Sequence, residues 1–309
     1  MDRELWTLVL GTVKQAAKRV GWNGGRRTPH FPNWLIVAMY FWATWHDRTM
    51  TWACDRGHYN TLFRPRKLPS VSQFTRRVKS DDCQRILQLV HDHLAGRGAV
   101  IDEGYIDGKP LLVSPVSKDR QATRGKISGG FGKGYKLHAF VNERRRIVVW
   151  SVTGLHEDEK TVALHLLPHL PPMSPEALVF KDSNYDSAPL HKGAAEVAPD
   201  AALVGPLKGQ DRVGEGGHHP VTLRQMGPQR RELVAAWKHC PDLLELALRA
   251  RDTIERVFGV LCCTAGGLGT ALPSWVRTLD RVRRWVGAKV VLYNARLTVQ
   301  DRLRKAAVA

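Results

Sequence analysis

The stretch YIDGKPLLV, residues 105–113, decides the fold, because it places one acidic residue, Asp107, inside an apolar run that is typical of a buried β-strand. Similar runs of apolar and β-branched residues predict four further strands, at 135–141 (YKLHAFV), 146–153 (RIVVWSVT), 177–180 and 201–204. Apolar residues at helical spacing predict helices over 158–170 and 188–197. The predicted order is therefore βββαβαβ, followed by a pair of C-terminal helices.

This order of elements predicts an α/β fold. Three consecutive antiparallel strands followed by alternating helices and strands form a mixed five-stranded sheet, with helices on both faces. Functional residues in such sheets lie at the ends of strands. We therefore expect Asp107 at the centre of the sheet, next to whatever site the strand ends form.

The chain divides into two predicted domains near residue 98. Residues 1–98 are predicted to form a helical N-terminal domain, because apolar residues recur at helical spacing. A second apolar segment lies at residues 34–45. Residues 99–309 predict the catalytic domain together with the C-terminal helices. Within that domain, 205–232 is rich in Gly, His, Pro and Arg and lacks periodicity, which predicts a long loop or an insertion.

Three acidic residues are candidate metal ligands and catalytic residues. Asp107 lies in the first strand, Asp182 follows the apolar run ALVF, and Glu255 lies in the charged helical stretch RARDTIERVF. Carboxylate oxygens suit Mg²⁺, and two ions about 3.5–4 Å apart can catalyse phosphodiester chemistry. If one fold brings the three carboxylates together, they can hold two Mg²⁺ ions, for which Mn²⁺ can substitute.

Each carboxylate also has a purely structural alternative. Asp107 would be stabilised equally by a buried salt bridge. Asp182 begins the turn-rich sequence DSNYDS, where it would act as a turn residue. Glu255 stands four residues after Arg251, so the two would form an ion pair on the helix surface.

The charge of the chain predicts a polyanionic partner. Its 309 residues include 47 Lys and Arg against 29 Asp and Glu, which gives a formal net charge of +18. Double-stranded DNA is the leading candidate, because basic side chains that neutralise phosphates release condensed counterions. The alternatives are a basic chain that only needs solubility, or one that contacts an acidic membrane surface. No amphipathic lipid-binding helix stands out.

Cysteine usage and apolar segments bear on location. The chain has five cysteines, Cys54, Cys83, Cys240, Cys262 and Cys263. They form neither a CxxC pair nor an even set, so the sequence predicts no zinc site and no disulfides. Reduced thiols are typical of the cytoplasm, where a DNA-binding protein associates with the nucleoid. The apolar segment 34–45 is too short to span a membrane, so we expect a buried helix and no membrane partner.

A glycine-rich basic segment is a candidate DNA contact. The sequence KDRQATRGKISGGFGKGYK, residues 118–136, contains Arg124, Lys126, Lys133 and Lys136 among glycines that would allow the backbone to approach phosphate. It predicts a substrate-facing hairpin between the first two long strands. The alternative is a flexible, solvated loop.

A second candidate DNA contact is a short helix predicted over 70–79. Ser70 or Ser72 would cap it, and its surface would display Arg76 and Arg77. This helix would either read DNA or simply pack through its apolar residues, with its arginines in solvent.

Four stretches together resemble the DDE transposases of bacterial insertion sequences, of the family 4 and family 5 type, which carry a ribonuclease-H-like catalytic core. They are YIDGKPL from Tyr105, GYKLHAFVNERRRIVVWSVTGLHEDEKT from Gly134, VFKDSNYDS from Val179 and RARDTIERVFGVL from Arg249. In such enzymes the first Asp lies on the first strand, the second Asp follows the fourth strand, and the Glu lies on a late helix. The resemblance covers roughly residues 105–302.

The resemblance implies a function and a site. Asp107, Asp182 and Glu255 would bind two Mg²⁺ ions, which activate water to cleave the end of a mobile element, and the freed 3′-OH would then attack target DNA. Arg251 and Lys136 would hold phosphates. Joining two ends implies at least a homodimer on DNA.

The chain also departs from the family's pattern. The glutamate helix of the family carries a Tyr three residues before the Arg and a Lys seven residues after the Glu. Leu248 and Cys262 stand at those positions here. Two alternatives therefore stay open: a catalytically silent DNA-binding protein derived from such an element, and a plain ribonuclease-H-like nuclease that does not join strands.

Overall fold

The computed structural model describes residues 2–21, 30–207, 227–264 and 266–308. Its helices are α1 Asp2–Val20, α2 Asn33–Trp45, α3 Val71–Val78, α4 Asp81–Ala95, α5 Glu159–Leu166, α6 Ala188–Val197, α7 Pro228–His239, α8 Pro241–Leu248, α9 Asp252–Cys263 and α10 Leu279–Val308. Its strands are β1 Ile101–Leu112, β2 Thr123–Ile127, β3 Gly130–Asn142, β4 Ile147–Gly154, β5 Met173–Lys181 and β6 Ala202–Val204. The chain forms two compact units, one made of Met1–Gly96 with Leu261–Ala309, the other of Arg97–Val260.

The first unit is a helical bundle around α2. This helix is apolar on all sides and buried along most of its length, as a central helix requires. Trp6 of α1 packs edge-on against Trp42 of α2, with ring centroids 4.8 Å apart. The apolar residues of α4 and α10 complete the same core.

The C-terminal helix was expected within the catalytic domain, and the structure differs. Ala288, Val291, Leu292 and Ala295 of α10 are buried in the core of the first unit, together with residues of α1, α2 and α4. An apolar helix face can pack against any complementary core, so its spacing in the sequence does not reveal which core it joins. The division at residue 98 therefore does not hold for the C-terminal segment.

The predicted helix at 70–79 is confirmed as α3, with its capping box. The Ser70 side chain accepts a hydrogen bond from the backbone N–H of Gln73, and the Gln73 side chain accepts one from the backbone N–H of Ser70. Phe74 and Val78 are fully buried. These contacts fix the helix on the bundle.

The second unit contains a mixed sheet. β1 pairs antiparallel with β3 and parallel with β5, which in turn pairs parallel with β6. Gly134 pairs with Leu112 of β1 and Thr123 of β2, and Tyr135 pairs with Leu111 of β1 and Gly154 of β4. Strands β2 and β4 therefore lie end to end along the edge of β3 that faces away from β1.

The sheet has six strands in the described ranges, where the sequence predicted five. The added strand is β2, in the glycine-rich segment that was predicted to form a hairpin. Of the predicted loop 205–232, residues 208–226 lie outside the described residues. The predicted C-terminal end of this loop, residue 232, is wrong, because α7 already begins at Pro228. Proline favours the first turn of a helix.

Gly104 of β1 leaves room for a side chain from the neighbouring strand. A Cβ at residue 104 would lie 2.2 Å from Cζ of Phe140, which is itself buried in β3. We predict that Gly104→Ala lowers the free energy of unfolding by about 1–3 kcal/mol, because the ring must move within a packed core. Urea denaturation would measure this change.

Gly259→Ala is the matched control, because nothing lies within 4 Å of a Cβ built at this exposed helical position. It should raise the free energy of unfolding by roughly 0.5–1 kcal/mol. An equal effect of both substitutions would contradict the predicted steric origin.

Candidate active site

The pairing of β1 with β5 places two of the predicted carboxylates side by side. Ile106 pairs with Lys181, so the next residue on each of these parallel strands is Asp107 on β1 and Asp182 at the end of β5. Paired residues on adjacent parallel strands lie about 4.8 Å apart and point to the same face. The fold thus brings together two acids that are 75 residues apart in the sequence.

Asp107 lies in an environment that disfavours its negative charge. Its Oδ1 accepts a hydrogen bond of 2.7 Å from the backbone N–H of Gly108. The pKa of Asp107 is raised to about 6, mainly by burial and less by the carboxylates of Asp182 and Glu159, while Gly108 N–H and Arg251 lower it. A carboxylate in this setting gains from any cation that it can bind.

Asp182 is held in place by the turn that follows β5. Its Oδ1 accepts hydrogen bonds from the backbone N–H of Ser183 and from Ser183 Oγ at 3.0 Å, and its Oδ2 accepts one from Asn184 Nδ2 at 3.3 Å. The turn alternative for Asp182 is therefore realised. It does not compete with a role in a site, because the turn fixes the carboxylate beside Asp107.

Glu255 does not form a group with the two aspartates. Its side chain is 63% exposed, and its Oε1 lies 3.4 Å from Nη2 of Arg251, as the helix-surface alternative predicted. Within the described residues, no three His, Cys, Asp or Glu side chains form a group that could hold a metal ion. In the described residues the three carboxylates therefore do not form one group, and Glu255 is paired with Arg251 instead.

Arg251 links the two parts of the predicted site. It lies close enough to Asp107 to counteract the rise in that residue's pKa, and it pairs with Glu255. Its Nε is buried and has no hydrogen-bond partner among the described residues. Within the described residues this donor is therefore left unsatisfied, at a nitrogen that solvent does not reach.

Two residues near Asp107 were missed by sequence reasoning. Glu159, the first residue of α5, is 15% exposed in its side chain, and Tyr185 is fully buried with no hydrogen-bond partner for its hydroxyl among the described residues. A Cβ at Gly108 would lie 3.2 Å from Glu159 Oε1 and 3.3 Å from the Tyr185 hydroxyl. Both residues stood inside the stretches that carry the resemblance, yet only the fold brings them to β1.

Lys136 was predicted to hold a phosphate, and the structure places it differently. Its Nζ donates a hydrogen bond of 2.8 Å to Glu159 Oε1, and its side chain is 10% exposed. The ammonium group is thus engaged inside the sheet and not displayed to solvent. In this arrangement Lys136 orients Glu159 and neutralises its charge.

Asp186 forms a buried ion network behind the two aspartates. Arg230 of α7 donates two hydrogen bonds to it, at 2.8 and 3.1 Å, and Lys181 Nζ lies 3.5 Å from Asp186 Oδ1. Ser187, and not Asp186, caps α6, by accepting a hydrogen bond from Leu190 N–H. The network ties α7 to the end of β5, next to Asp182.

The remaining predicted DNA-contact residues differ in exposure. Arg124, Lys126 and Arg76 are exposed. Lys133 is half-buried, with its Nζ donating to the Ser117 carbonyl at 2.6 Å, and Arg77 donates to the side chain of Asn33. The first three are therefore available to a phosphate, whereas the other two already stabilise the fold.

The buried charge of Asp107 predicts a pH-dependent stability. Its pKa is about 6 in the folded protein against the usual 3.8, so the folded state binds the proton more tightly between these values. Stability from this group is present below pH 4 and lost as the pH rises through 6. We predict that Asp107→Asn stabilises the protein by up to about 3 kcal/mol at pH 7.5 in EDTA, and hardly at all near pH 4.

Urea denaturation of both proteins at the two pH values would measure this difference. A gain of the same size at both values would contradict the desolvation of the ionised carboxylate as its cause.

The ion pair of Lys136 predicts a loss of stability that is independent of DNA. Lys136→Met leaves Glu159 buried without its partner and should cost about 3–5 kcal/mol in the free energy of unfolding. Adding Glu159→Gln should restore part of that loss. The matched control, Arg124→Met, should stay within about 0.5 kcal/mol of the parent, because its side chain is exposed. Unchanged stability in Lys136→Met would leave the phosphate contact as the better interpretation.

No helix within the described ranges is both long and apolar enough to cross a membrane. No protein-family model matches this chain, and no curated protein sequence matches it. Among solved structures, the cryo-EM structure of the piggyBac transposase synaptic complex with hairpin DNA is similar to this chain over 98% of its length and 75% of the other chain, with a TM-score of 0.48 and 10% sequence identity.

Proposed function

We propose that this protein is a DDE-type DNA transposase with a ribonuclease-H-like core, which cleaves the ends of a mobile DNA element and joins them to a target. The observation that carries the proposal is the position of Asp107 and Asp182, next to each other on adjacent parallel strands and with Asp107 desolvated. Desolvated carboxylate pairs are costly for stability, and they are characteristic of functional sites.

The order of strands supports the same interpretation. If β2 is set aside as part of the hairpin, the sheet runs β4-β3-β1-β5-β6, with the first three strands antiparallel and the last two parallel to β1. Asp107 then lies on the first strand and Asp182 directly after the fourth. Glu255 lies on a late helix. These are the positions that the resemblance to DDE transposases implies.

The donor set suits a divalent ion in part. Asp107 and Asp182 offer the hard oxygen ligands that Mg²⁺ and Mn²⁺ prefer, and they would hold the ions. Bound divalent ions would activate the attacking oxygen and stabilise the leaving oxygen of a phosphodiester. Glu255 would join the two aspartates once its pair with Arg251 is released.

DNA provides a reason for that release. A phosphate that accepts hydrogen bonds from Arg251 competes with Glu255 for the same guanidinium group, because phosphate and carboxylate both suit its fork of donors. In this proposal Arg251 orients the scissile strand, Glu159 and Lys136 support the backbone at Gly108, and the turn after β5 holds Asp182. Cleaving and joining two ends would require at least two copies of the chain on DNA.

One observation favours a second candidate function, a catalytically silent DNA-binding protein. Glu255 is exposed and engaged by Arg251, and the flanking positions hold Leu248 and Cys262. A protein of this kind would bind DNA in the absence of metal and would leave it intact. The two functions differ in one product, cleaved DNA.

We predict that the protein nicks labelled duplexes that carry the DNA flanking its own gene, when Mg²⁺ or Mn²⁺ is present. Asp107→Asn and Asp182→Asn should each lower the rate at least about a hundredfold, because each removes a charged metal ligand. Asp102→Asn is the matched control, since Asp102 is an exposed carboxylate on the same strand. It should retain the parent activity.

The products separate the possibilities. Joined strands support a transposase, whereas cleavage without joining supports a plain nuclease. Binding without cleavage in any metal would establish the silent DNA-binding protein. Equal cleavage by the parent and by Asp107→Asn would overturn the proposed site. Comparing Glu255→Gln with Glu159→Gln would identify the third carboxylate, because a ligand should cost far more activity than a supporting residue.

A further inference from the structure

The hairpin formed by β2 and β3, residues 123–134, presents a distinctive outer face. Arg124 pairs with Lys133, and Lys126 pairs with Phe131. Side chains of residues directly opposite in an antiparallel pair lie on the same face of the sheet, and so do residues two apart on one strand. Three cations and one aromatic ring therefore share a single face of the hairpin.

The other face carries glycines that lie against the protein. A Cβ at Gly125 would lie 2.5 Å from the carbonyl oxygen of Leu155, and a Cβ at Gly132 would lie 2.8 Å from Cδ2 of Leu112. The sequence suggested that these glycines allow the backbone to approach phosphate. Their contacts show instead that they allow the hairpin to pack closely, which leaves the basic face directed outward.

Phe131 is 82% exposed on that outer face. The segment between β1 and β2 covers the same face farther along β3, where Lys133 donates to the Ser117 carbonyl and the Tyr135 hydroxyl donates to Asp119 at 2.7 Å. This cover does not extend to Phe131. An exposed ring among cations combines the two kinds of side chain that contact nucleic acids, aromatic rings that stack on bases and cations that bind phosphates.

Phe131 also lies on the same side of β3 as the candidate active site. Asp107 pairs with Ala139, and 139 − 131 = 8 residues, an even number, so the two positions share a face. Eight residues of strand span roughly 26 Å. Along the axis of B-form DNA, which rises about 3.4 Å per base pair, this is close to eight base pairs.

We propose that Phe131 inserts between neighbouring bases of double-stranded DNA, about eight base pairs from the cleaved phosphate, while Arg124 and Lys126 bind phosphates on either side. The inference rests on the proposed function in taking DNA as the substrate, and its distance of eight base pairs also takes Asp107 as the place of cleavage. Apolar side chains that enter a base step unstack it and bend the duplex, which fixes the DNA at one position. The cations contribute affinity for any sequence, and the ring contributes the distortion.

The test uses the full chain, EDTA to prevent cleavage, and a mixed-sequence duplex with 2-aminopurine placed at successive positions. Binding should increase 2-aminopurine fluorescence, because the probe brightens when it is unstacked. Phe131→Ala should abolish this increase and weaken binding roughly 5- to 100-fold, whereas Phe131→Trp should retain both. Leu243→Ala is the matched control, since Leu243 is another exposed apolar residue, 64% exposed on α8.

The cations should have a different signature. Replacing Arg124 and Lys126 by alanine should lower the slope of log affinity against log salt concentration by about 1.8, or about 0.9 for each phosphate contact. Phe131→Ala should leave that slope unchanged, because it removes no charge. This contrast separates the ring from the charges on the same face.

Three results would overturn the inference: equal fluorescence increases for the parent and Phe131→Ala, equal losses of affinity for Phe131→Ala and Leu243→Ala, or no DNA binding by the parent. The inference and the proposed function fail separately. Binding that depends on Phe131 without metal-dependent cleavage would support the inserted ring and remove the transposase. Cleavage that depends on Asp107 but not on Phe131 would do the opposite.

Discussion

The second unit depends on one unfavourable arrangement, two carboxylates side by side on neighbouring strands. Asp107 and Asp182 lie next to each other because Ile106 pairs with Lys181 in a parallel ladder, and a slip of one residue would send the two side chains to opposite faces. The apolar pairs behind them fix that register, with the Tyr105 and Phe180 rings stacked at 5.5 Å. Hydrophobic packing thus holds in place two like charges that would separate in a looser structure.

The buried network at the end of β5 completes this support. Lys181, the residue before Asp182, is fully buried. Desolvation lowers the pKa of Lys181, and the nearby carboxylate of Asp186 only partly opposes this shift. Asp186 in turn binds Arg230 at the start of α7. Breaking a network of this kind leaves an unpaired buried charge, which is far more costly than a lost surface pair. The packing of α7 against the end of β5 therefore helps to hold Asp182 in position.

The sequence predicts the elements of this fold better than their assembly. Alternating apolar runs and helical spacing locate five of the six strands, the helix 188–197 and the capped helix α3, because these signals are local. The packing partner of α10 cannot be predicted from local signals, since an apolar helix face can pack against any complementary core. The same holds for Glu159: its position at the start of α5 is readable, but its contact with Lys136 depends on how α5 packs against β3. The candidate acids at 107 and 182 could be chosen because a charge next to a buried run is itself a local anomaly.

The acidic cluster at β1 and the basic hairpin carry charges of opposite sign. Three carboxylates interact around β1, namely those of Asp107, Asp182 and Glu159, and two cations from the chain lie near them, Lys136 and Arg251. The formal sum is −3 + 2 = −1 once Asp107 is ionised above its pKa of about 6. A chain with a net charge of +18 has abundant arginine and lysine with which to neutralise such a cluster, yet it leaves the cluster negative while its outer hairpin is basic. Under the proposed function, that distribution would attract a polyanion to the surface and a small cation to the site, the two ligands of metal-dependent phosphodiester chemistry.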